Sequence, residues 1–266
     1  MLRKRTRIKL YRKLRYRKGY GIHSPFMYSL ITKVIEENSP YYIFEDIEKE
    51  RKRLLSQKNE TGILTRKETQ SKNYGALLFR LVNFFKPTTV LQIGSVTGIM
   101  SLYLANASKR CKYYFLEERE GLFDSYDFIQ NHQLDNLIMK EGDYEVQLKE
   151  LKTELPEVDL IHLNLRGDTE KTEKVIKLLI PFIHKNTILL IDGIGINKSM
   201  QKFWSGFIQT HSISVSLDLY ALGIVFFDKK YHKQNFKNYI DYDKKQNLHR
   251  TGRQRFHFFG RRKKGK

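Results

Sequence analysis

Apolar positions in the first third of the chain recur at helical spacing. Ser24 and Pro25 place a capping hydroxyl before a proline at the first helical position, which predicts a helix running toward Glu37. A charged amphipathic helix is predicted over 43–57 and an apolar one from Tyr74 to Phe85, stopped by Pro87. The polar segment 58–70 predicts a loop.

From Thr88 onward the pattern changes to short apolar runs that alternate with amphipathic segments. The apolar runs predict strands at 89–93, 112–116, 137–140, 158–163 and 187–191, and the segments 98–106, 122–132, 144–152 and 169–180 predict helices. Such alternation is typical of a parallel sheet covered on both faces. After a predicted helix at 198–210, the runs 213–217 and 223–227 have a short connection and predict an antiparallel pair.

The charge of the chain is concentrated at its ends. Residues 1–18 contain ten Lys and Arg and no acid, and residues 229–266 contain fourteen against Asp241 and Asp243, within a net charge of +20. The predicted organisation is therefore a basic arm (1–18), a helical segment (19–87), an α/β core (88–228) and a basic tail (229–266). Both ends are either solvated arms or contacts for nucleic acid or an anionic surface, and the contact would be weak.

Composition narrows the class of protein further. Cys111 is the only cysteine, so an intrachain disulfide is excluded. No apolar stretch approaches the roughly 20 residues that a membrane span needs, and the basic beginning lacks the apolar core of a secretory signal. We therefore expect a cytoplasmic protein with no transmembrane segment.

The segment from Ile93 to Gly98 carries the first functional signal. It joins an apolar strand to a helix through a turn with glycines at both ends, Gly94 and Gly98. Glycine lets a backbone approach a ligand without a Cβ clash, and the amides of such a turn, around Ser95, can donate to a carboxylate. The alternative is an ordinary tight turn, since many such turns bind no ligand.

This turn also carries a resemblance to a known family. Ile93-Gly94-Ser95-Val96-Thr97-Gly98, followed by Ser101-Leu102, resembles the first motif of class I S-adenosylmethionine-dependent methyltransferases, most closely the catechol and caffeoyl-CoA O-methyltransferase-like group. Segments 21–26 and 71–80 resemble the leading helices of a bacterial branch. The resemblance covers about 19–236 and implies a Rossmann-like, mostly parallel seven-stranded sheet with an antiparallel C-terminal hairpin and N-terminal helices.

The resemblance implies a set of cofactor-binding residues. Glu117 corresponds to the acid that accepts from both ribose hydroxyls, with the adjacent Glu118 as a rival. Asp143 would accept from the adenine amine, or would only cap a helix. Lys72 and Tyr74 would line the pocket or cap it. Gln92 stands where most relatives carry an acid near the cofactor's ammonium, which indicates either drift with weaker binding or a site that has lost catalysis.

Catalytic positions depart from the family pattern. In metal-dependent relatives, acids after the fourth and fifth strands bind a divalent cation that activates the acceptor hydroxyl. Here those positions hold Asn164 and Asp192-Gly193, so one carboxylate remains and we predict no tight metal site. Asp192 would orient or deprotonate the hydroxyl, with Asn164 assisting. His162 shares the face of Asn164, but a structural histidine is the favoured interpretation.

The leading hypothesis is therefore methyl transfer from S-adenosyl-L-methionine to a small hydroxyl-bearing acceptor. One alternative is an RNA or ribosome-associated methyltransferase that uses the basic ends. Another is a methyltransferase-like binding protein whose catalytic site has decayed.

Overall fold

Between residues 21 and 87, the described part of the chain forms three α-helices. In this computed structural model, α1 (Pro25–Leu30) begins after Ser24, whose hydroxyl accepts from the Met27 amide at 3.3 Å. The chain continues into one π-helical turn (Ile31–Ile35), then into α2 (Tyr42–Ser56) and α3 (Lys72–Phe85). The structure describes residues 11, 21–56, 72–94, 98–118, 132, 134–165 and 167–238. The predicted helix over 122–132 and loop over 58–70 lie almost entirely outside these residues.

One mixed sheet forms the centre of the fold. Its strands are β1 (Thr89–Ile93), β2 (Lys112–Glu117), β3 (Leu137–Glu141), β4 (Leu160–Leu163), β5 (Ile188–Asp192), β6 (Val215–Asp218), β7 (Leu222–Phe226) and β8 (Gln234–Lys237). They lie in the order β3-β2-β1-β4-β5-β7-β6-β8, with β7 antiparallel to both of its neighbours. The predicted α/β class, parallel strands and antiparallel C-terminal hairpin are confirmed.

Helices cover both faces of the sheet. The remaining helices are α4 (Ile99–Ala105), α5 (Tyr144–Glu154), α6 (Thr169–Leu179) with a 3₁₀ turn (Ile180–Phe182), and α7 (Lys198–Phe207). The first four helices share one hydrophobic core with alternate residues of the strands, including Val90 and Phe115. Helices α5 to α7 share a second core with the intervening residues, such as Leu91 and Leu116. The alternation of side chains along each strand produces this separation.

In the part of the chain that the structure describes, the sheet has eight strands rather than the seven predicted. Strand β8 pairs in parallel with β6 and lies within the segment 229–266 that we predicted to be a basic tail. Its residues Gln234 to Lys237 are mostly polar and exposed, so no hydrophobic alternation marks them in the sequence. Backbone pairing to an open sheet edge forms this strand, and that pairing leaves no trace in the side-chain pattern.

Candidate functional site

Strands β1 to β5 run parallel to one another and end at one edge of the sheet, which we call the carboxyl edge. The chain leaves β1 toward β2 on one side and returns to β4 on the other, so the direction of winding reverses between β1 and β4. Ligands of open α/β sheets bind in the crevice at such a reversal. There the backbone N–H of Asn164, just after β4, donates to the backbone carbonyl of Ile93 in β1 at 2.9 Å and so joins the two strands.

Gly94 opens the turn after β1 and packs closely against the end of β4. Its φ is +77°, and a Cβ at this position would lie 2.4 Å from the carbonyl oxygen of Asn164. Gly98, at φ +67°, precedes the first residue of α4. Both positions therefore require glycine for backbone reasons, whether or not a ligand is bound. Ser95 lies outside the described residues, so its predicted contact stays a prediction.

Gln92 is fully buried beneath this turn, with its side chain hydrogen-bonded inside the protein. Its Oε1 accepts from Ser101 Oγ at 3.0 Å and from the Tyr113 hydroxyl, and its Nε2 donates to the Gly94 carbonyl at 3.2 Å. A neutral amide can both accept and donate, as this position requires. The contacts support a role in joining β1, β2, α4 and the turn.

The structure distinguishes the two acids at the end of β2. The Glu118 carboxylate forms an ion pair with Lys171 of α6. Glu117 Oε1 accepts from the Tyr144 hydroxyl at 3.3 Å, and its backbone carbonyl accepts from the Gly142 amide at 3.0 Å. Glu117 is partly exposed at the carboxyl edge. Both carboxylates therefore have partners, and the ribose contact of Glu117, with Glu118 as its rival, stays a prediction.

Asp143 and Lys72 lie at helix starts near the same edge. Asp143 Oδ1 accepts from the amides of Glu145 at 2.8 Å and Val146 at 3.2 Å, so it caps α5. Its side chain is exposed, and the adenine contact stays a prediction beside this capping role. Lys72 is the half-buried first residue of α3, and its predicted cofactor contact is likewise untested.

Three polar side chains from distant parts of the chain meet beneath the carboxyl edge. The hydroxyl of Tyr74 on α3 lies 3.5 Å from His162 Nε2 on β4, and Asp192 Oδ2 at the end of β5 lies 3.7 Å from the same nitrogen. All three residues are buried. Among the described residues, no hydrogen-bond partner meets either oxygen of Asp192 or His162 Nδ1. Buried polar atoms without partners are rare in folded proteins and often mark functional sites.

Burial acts in opposite directions on the two ionisable groups of this cluster. Loss of solvent raises the pKa of Asp192 well above its ordinary value of 3.8. The same effect lowers the pKa of His162 from 6.5 to about 3. Both groups therefore favour their neutral forms, because a low-dielectric interior penalises charge of either sign.

The cluster was missed by sequence reasoning. His162 was recognised as sharing a face with Asn164, but its contact with Asp192 depends on the pairing of β4 with β5. In that register His162 lies opposite Leu190, and Asp192 follows two residues later on the same face. Tyr74 was predicted to contact the cofactor; it is fully buried against His162, and the cofactor contact stays a prediction.

The residues at the ends of β4 and β5 make a poor ligand set for a divalent cation. Asn164 supplies a neutral amide, Gly193 supplies no side chain, and the carboxyl of Asp192 is 97% buried beside His162. Hard cations take several oxygen ligands, usually with carboxylates among them. No group of three His, Cys, Asp or Glu suited to a metal occurs in the described part of the chain. The prediction that this edge lacks a tight metal site stays a prediction.

A separate cavity lies at the opposite edge, where the parallel strands begin. It has a volume of about 300 Å³ and is lined by Phe26, Phe226, Tyr231, Lys86 and Lys185, among others. None of the predicted site residues lines it. The described residues also include no helix long and apolar enough to cross a membrane.

Comparison with solved structures identifies the fold. The structure is similar to a methyltransferase of Podospora anserina solved with S-adenosylhomocysteine bound, with a TM-score of 0.57 and 16% identity over 77% of this chain and 97% of that one. It is similar to the O-methyltransferase TomG of Streptomyces achromogenes in complex with S-adenosylmethionine, with a TM-score of 0.51 and 13% identity over 71% and 91%. A candidate caffeoyl-CoA O-methyltransferase of Staphylococcus aureus gives 0.51, with 16% identity over 76% and 97%.

Sequence comparison adds nothing to this result, because no family model and no curated protein matches the chain. At 13–16% identity the similarity establishes the fold and leaves the reaction open. The strand order, the reversed β7 and the amino-terminal helices all agree with it. The chain therefore has the fold of the class I S-adenosylmethionine-dependent methyltransferases.

Proposed function

We propose that this protein is an S-adenosylmethionine-dependent methyltransferase that transfers a methyl group to the hydroxyl of a small acceptor. One observation carries the proposal: the glycine turn after β1 and the buried carboxyl of Asp192 lie at the same edge, on strands separated only by β4. The first feature suits a cofactor and the second suits an acid–base group. Their placement together supports an enzyme rather than a scaffold.

The cofactor would lie across the ends of β1, β2 and β3. Gly94 and Gly98 allow the backbone to approach it, and the carboxylate of Glu117 would accept from the ribose hydroxyls, which need a two-oxygen acceptor. Bound there, it supplies an activated methyl group on a positively charged sulfur. Gln92 holds the turn in place from below through its bond to the Gly94 carbonyl.

Asp192 would accept the proton that the reaction releases. The acceptor's O–H bond breaks and the proton passes to the Asp192 carboxylate, while the oxygen forms its new bond to the methyl carbon. The bond between that carbon and sulfur breaks, and its electron pair stays on sulfur. Above its raised pKa the ionised carboxylate of Asp192 is a stronger base than ordinary aspartate, which favours this role. Alignment of the acceptor oxygen with the methyl group contributes the rest of the rate enhancement.

Calorimetry tests the cofactor part of the proposal. The wild-type protein is titrated with S-adenosylmethionine and with S-adenosylhomocysteine, and saturable binding of both is expected. Absence of heat at millimolar ligand would overturn the proposal. If both ligands bind but a panel of catechols, phenols and hydroxy acids yields no methylated product, the decayed-site hypothesis replaces the enzyme hypothesis.

An RNA acceptor is the second candidate function, and one observation favours it. Strand β8 runs parallel to β6 and pairs Lys237 with Asp218, so it ends toward the carboxyl edge. Asn238, which follows β8, therefore lies at the same edge of the sheet as Asp192, and the basic sequence 239–266 comes next in the chain. A cationic segment that starts there would attract a polyanionic acceptor to the site.

A charge-neutralised full-length variant separates the two acceptor classes. Every Lys and Arg in 239–266 is replaced by Gln, and affinity for a structured RNA is measured at low and high salt. An RNA acceptor predicts a large loss of affinity and a reduced salt slope. The same change in residues 1–18 is the matched control. Equal, weak and salt-insensitive binding in all three proteins would exclude the RNA hypothesis.

A further inference from the structure

We propose that His162 is a positioning residue for Asp192, with a single hydrogen on Nε2 that is shared between Asp192 and Tyr74. The proposal rests on the methyl-transfer function above and adds which group stabilises the ionised, proton-accepting form of the carboxylate against the effect of burial. His162 acts through Asp192, because its Nε2 faces the Asp192 carboxyl and the Tyr74 hydroxyl.

The position of the hydrogen follows from the surroundings of the imidazole. Nδ1 has no hydrogen-bond partner among the described residues, whereas two oxygens face Nε2. A neutral imidazole carries one hydrogen, and a buried N–H without an acceptor is costly. The tautomer with hydrogen on Nε2 is therefore the favoured one.

The two contacts to Nε2 are nearly equal in length. Tyr74 Oη lies at 3.5 Å and Asp192 Oδ2 at 3.7 Å, both longer than a normal hydrogen bond. A small rotation of the imidazole would strengthen one contact at the expense of the other. When Asp192 is protonated the hydrogen can point to Tyr74, and when Asp192 is ionised its charge attracts the hydrogen strongly.

Among the described residues, no other basic side chain lies close enough to Asp192 to stabilise its ionised form. In the described part of the chain, His162 is the only basic side chain with a nitrogen within 4.0 Å of an Asp192 oxygen. From the helix packed above, Tyr74 is the titratable group that faces the pair. The described neighbours of Asp192 in β7 are Leu222 and Gly223, which carry no ionisable group. In this proposal His162 is therefore the residue that shifts the protonation equilibrium of Asp192.

This arrangement predicts shifts of opposite sign for two substitutions. His162→Phe removes the donor, so Asp192 should hold its proton to a pH about one unit higher or more. Tyr74→Phe removes the competing acceptor, so the Nε2 hydrogen is left to Asp192 and the titration midpoint should fall. A purely structural role for these residues predicts no such opposition.

Infrared spectroscopy of the full-length protein measures the titration without any ligand. The carbonyl band of the protonated Asp192 carboxyl is assigned by its loss in Asp192→Asn and followed against pH in each variant. His162→Gln retains an N–H donor, so its Asp192 titration midpoint should lie between those of wild type and His162→Phe. It replaces His162→Phe in the comparison if that variant does not fold. His184→Phe is the matched control, because His184 pairs with Asp159 at 3.2 Å near the opposite edge.

The outcomes separate this proposal from the proposed function. Opposite shifts for His162→Phe (or an upward shift for His162→Gln) and Tyr74→Phe, with none for His184→Phe, support it. Unchanged midpoints, shifts of the same sign, or a wild-type Asp192 that titrates near 3.8 would overturn it. Failure of the calorimetric test with S-adenosylmethionine would overturn the methyltransferase function while leaving the titration result as a property of the cluster.

Discussion

Gly94 and Asn164 come so close that no side chain fits between them. The φ of Gly94 is +77°, and a Cβ there would lie 2.4 Å from the Asn164 carbonyl oxygen. This contact joins the turn after β1 to the end of β4, the two strands between which the sheet reverses its winding. The geometry of the proposed cofactor site thus depends on one residue without a side chain.

Gly94→Ala should therefore disturb both stability and the proposed site. The left-handed backbone and the clash together should lower the free energy of unfolding by about 2–4 kcal/mol and weaken S-adenosylhomocysteine binding. Urea denaturation and calorimetry measure the two effects. Gly206→Ala is the matched control, because no atom lies within 4 Å of a Cβ there and alanine favours its helix. Equal behaviour of the two variants would show that the contact is unimportant.

Glu117→Gln and Glu118→Gln should differ in cofactor affinity. Loss of the charged acceptor at Glu117 should weaken S-adenosylmethionine binding about tenfold, since hydrogen bonds to charged groups contribute more than neutral ones. Glu118→Gln breaks the ion pair with Lys171 and should leave that affinity nearly unchanged. Calorimetry on both variants decides, and the reverse order of effects would assign the ribose to Glu118.

The pH dependence of stability should change in Asp192→Asn. Above pH 3.8 the unfolded chain ionises Asp192, while the native state keeps it protonated up to its raised pKa, so over that interval this residue makes stability fall as pH rises. His162 stays neutral in the native state down to about pH 3 but is protonated when unfolded below 6.5, so it makes stability rise. Each slope is about 1.4 kcal/mol per pH unit, and the two offset one another.

Removing Asp192 leaves the His162 contribution alone. Relative to wild type, Asp192→Asn should gain stability as pH rises above 3.8, by about 1.4 kcal/mol per pH unit, until wild-type Asp192 ionises. Above pH 6.5 the unfolded histidine is neutral as well, so His162 no longer contributes to the slope. Urea denaturation across this range measures the difference. Parallel stability curves for the two proteins would contradict the burial-driven pKa shifts.

Divalent metal should not be needed at the carboxyl edge. Titration with MgCl₂ is expected to give no saturable heat in the millimolar range. At the ends of β4 and β5, Asp192 supplies one carboxylate, whereas Asn164 supplies a neutral amide and Gly193 supplies no side chain. S-adenosylmethionine binding should be the same with and without EDTA. Tight binding of Mg²⁺ that disappears in Asp192→Asn would refute the prediction.

Gly75→Ala should destabilise the packing of α3 on α4. A Cβ at Gly75 would lie 2.3 Å from Cδ2 of Tyr103, whose hydroxyl donates to Glu48 at 3.0 Å and so cannot move freely. We expect a loss of about 1–3 kcal/mol in the free energy of unfolding. The same substitution in a Tyr103→Ala background should cost less, because the obstructing ring is gone. If Gly75→Ala lowers the free energy of unfolding by the same amount in the Tyr103→Ala background, the contact with the Tyr103 ring is not the source of the strain.

Local chemistry made much of the fold predictable. Ser24 and Pro25 mark a helix start through the hydroxyl cap, and the apolar runs mark the strands through burial. Gly94 and Gly98 mark the turn because only glycine takes its backbone angles at little cost. These signals arise between residues that are close in the chain. The strand β8 carried no such signal, since its residues are mostly polar and exposed and it joins the sheet by pairing with β6 at the edge.

The sequence by itself determined the alternation of helices and strands, the glycine turn and the residues that stand at strand ends. The tertiary structure decided which of those residues meet. Tyr74 and His162 are 88 positions apart, and their contact with Asp192 depends on how β4 pairs with β5 and how α3 packs above them. Packing also paired Glu118 with Lys171 and turned Gln92 inward. Such contacts depend on register and burial, which no local pattern encodes.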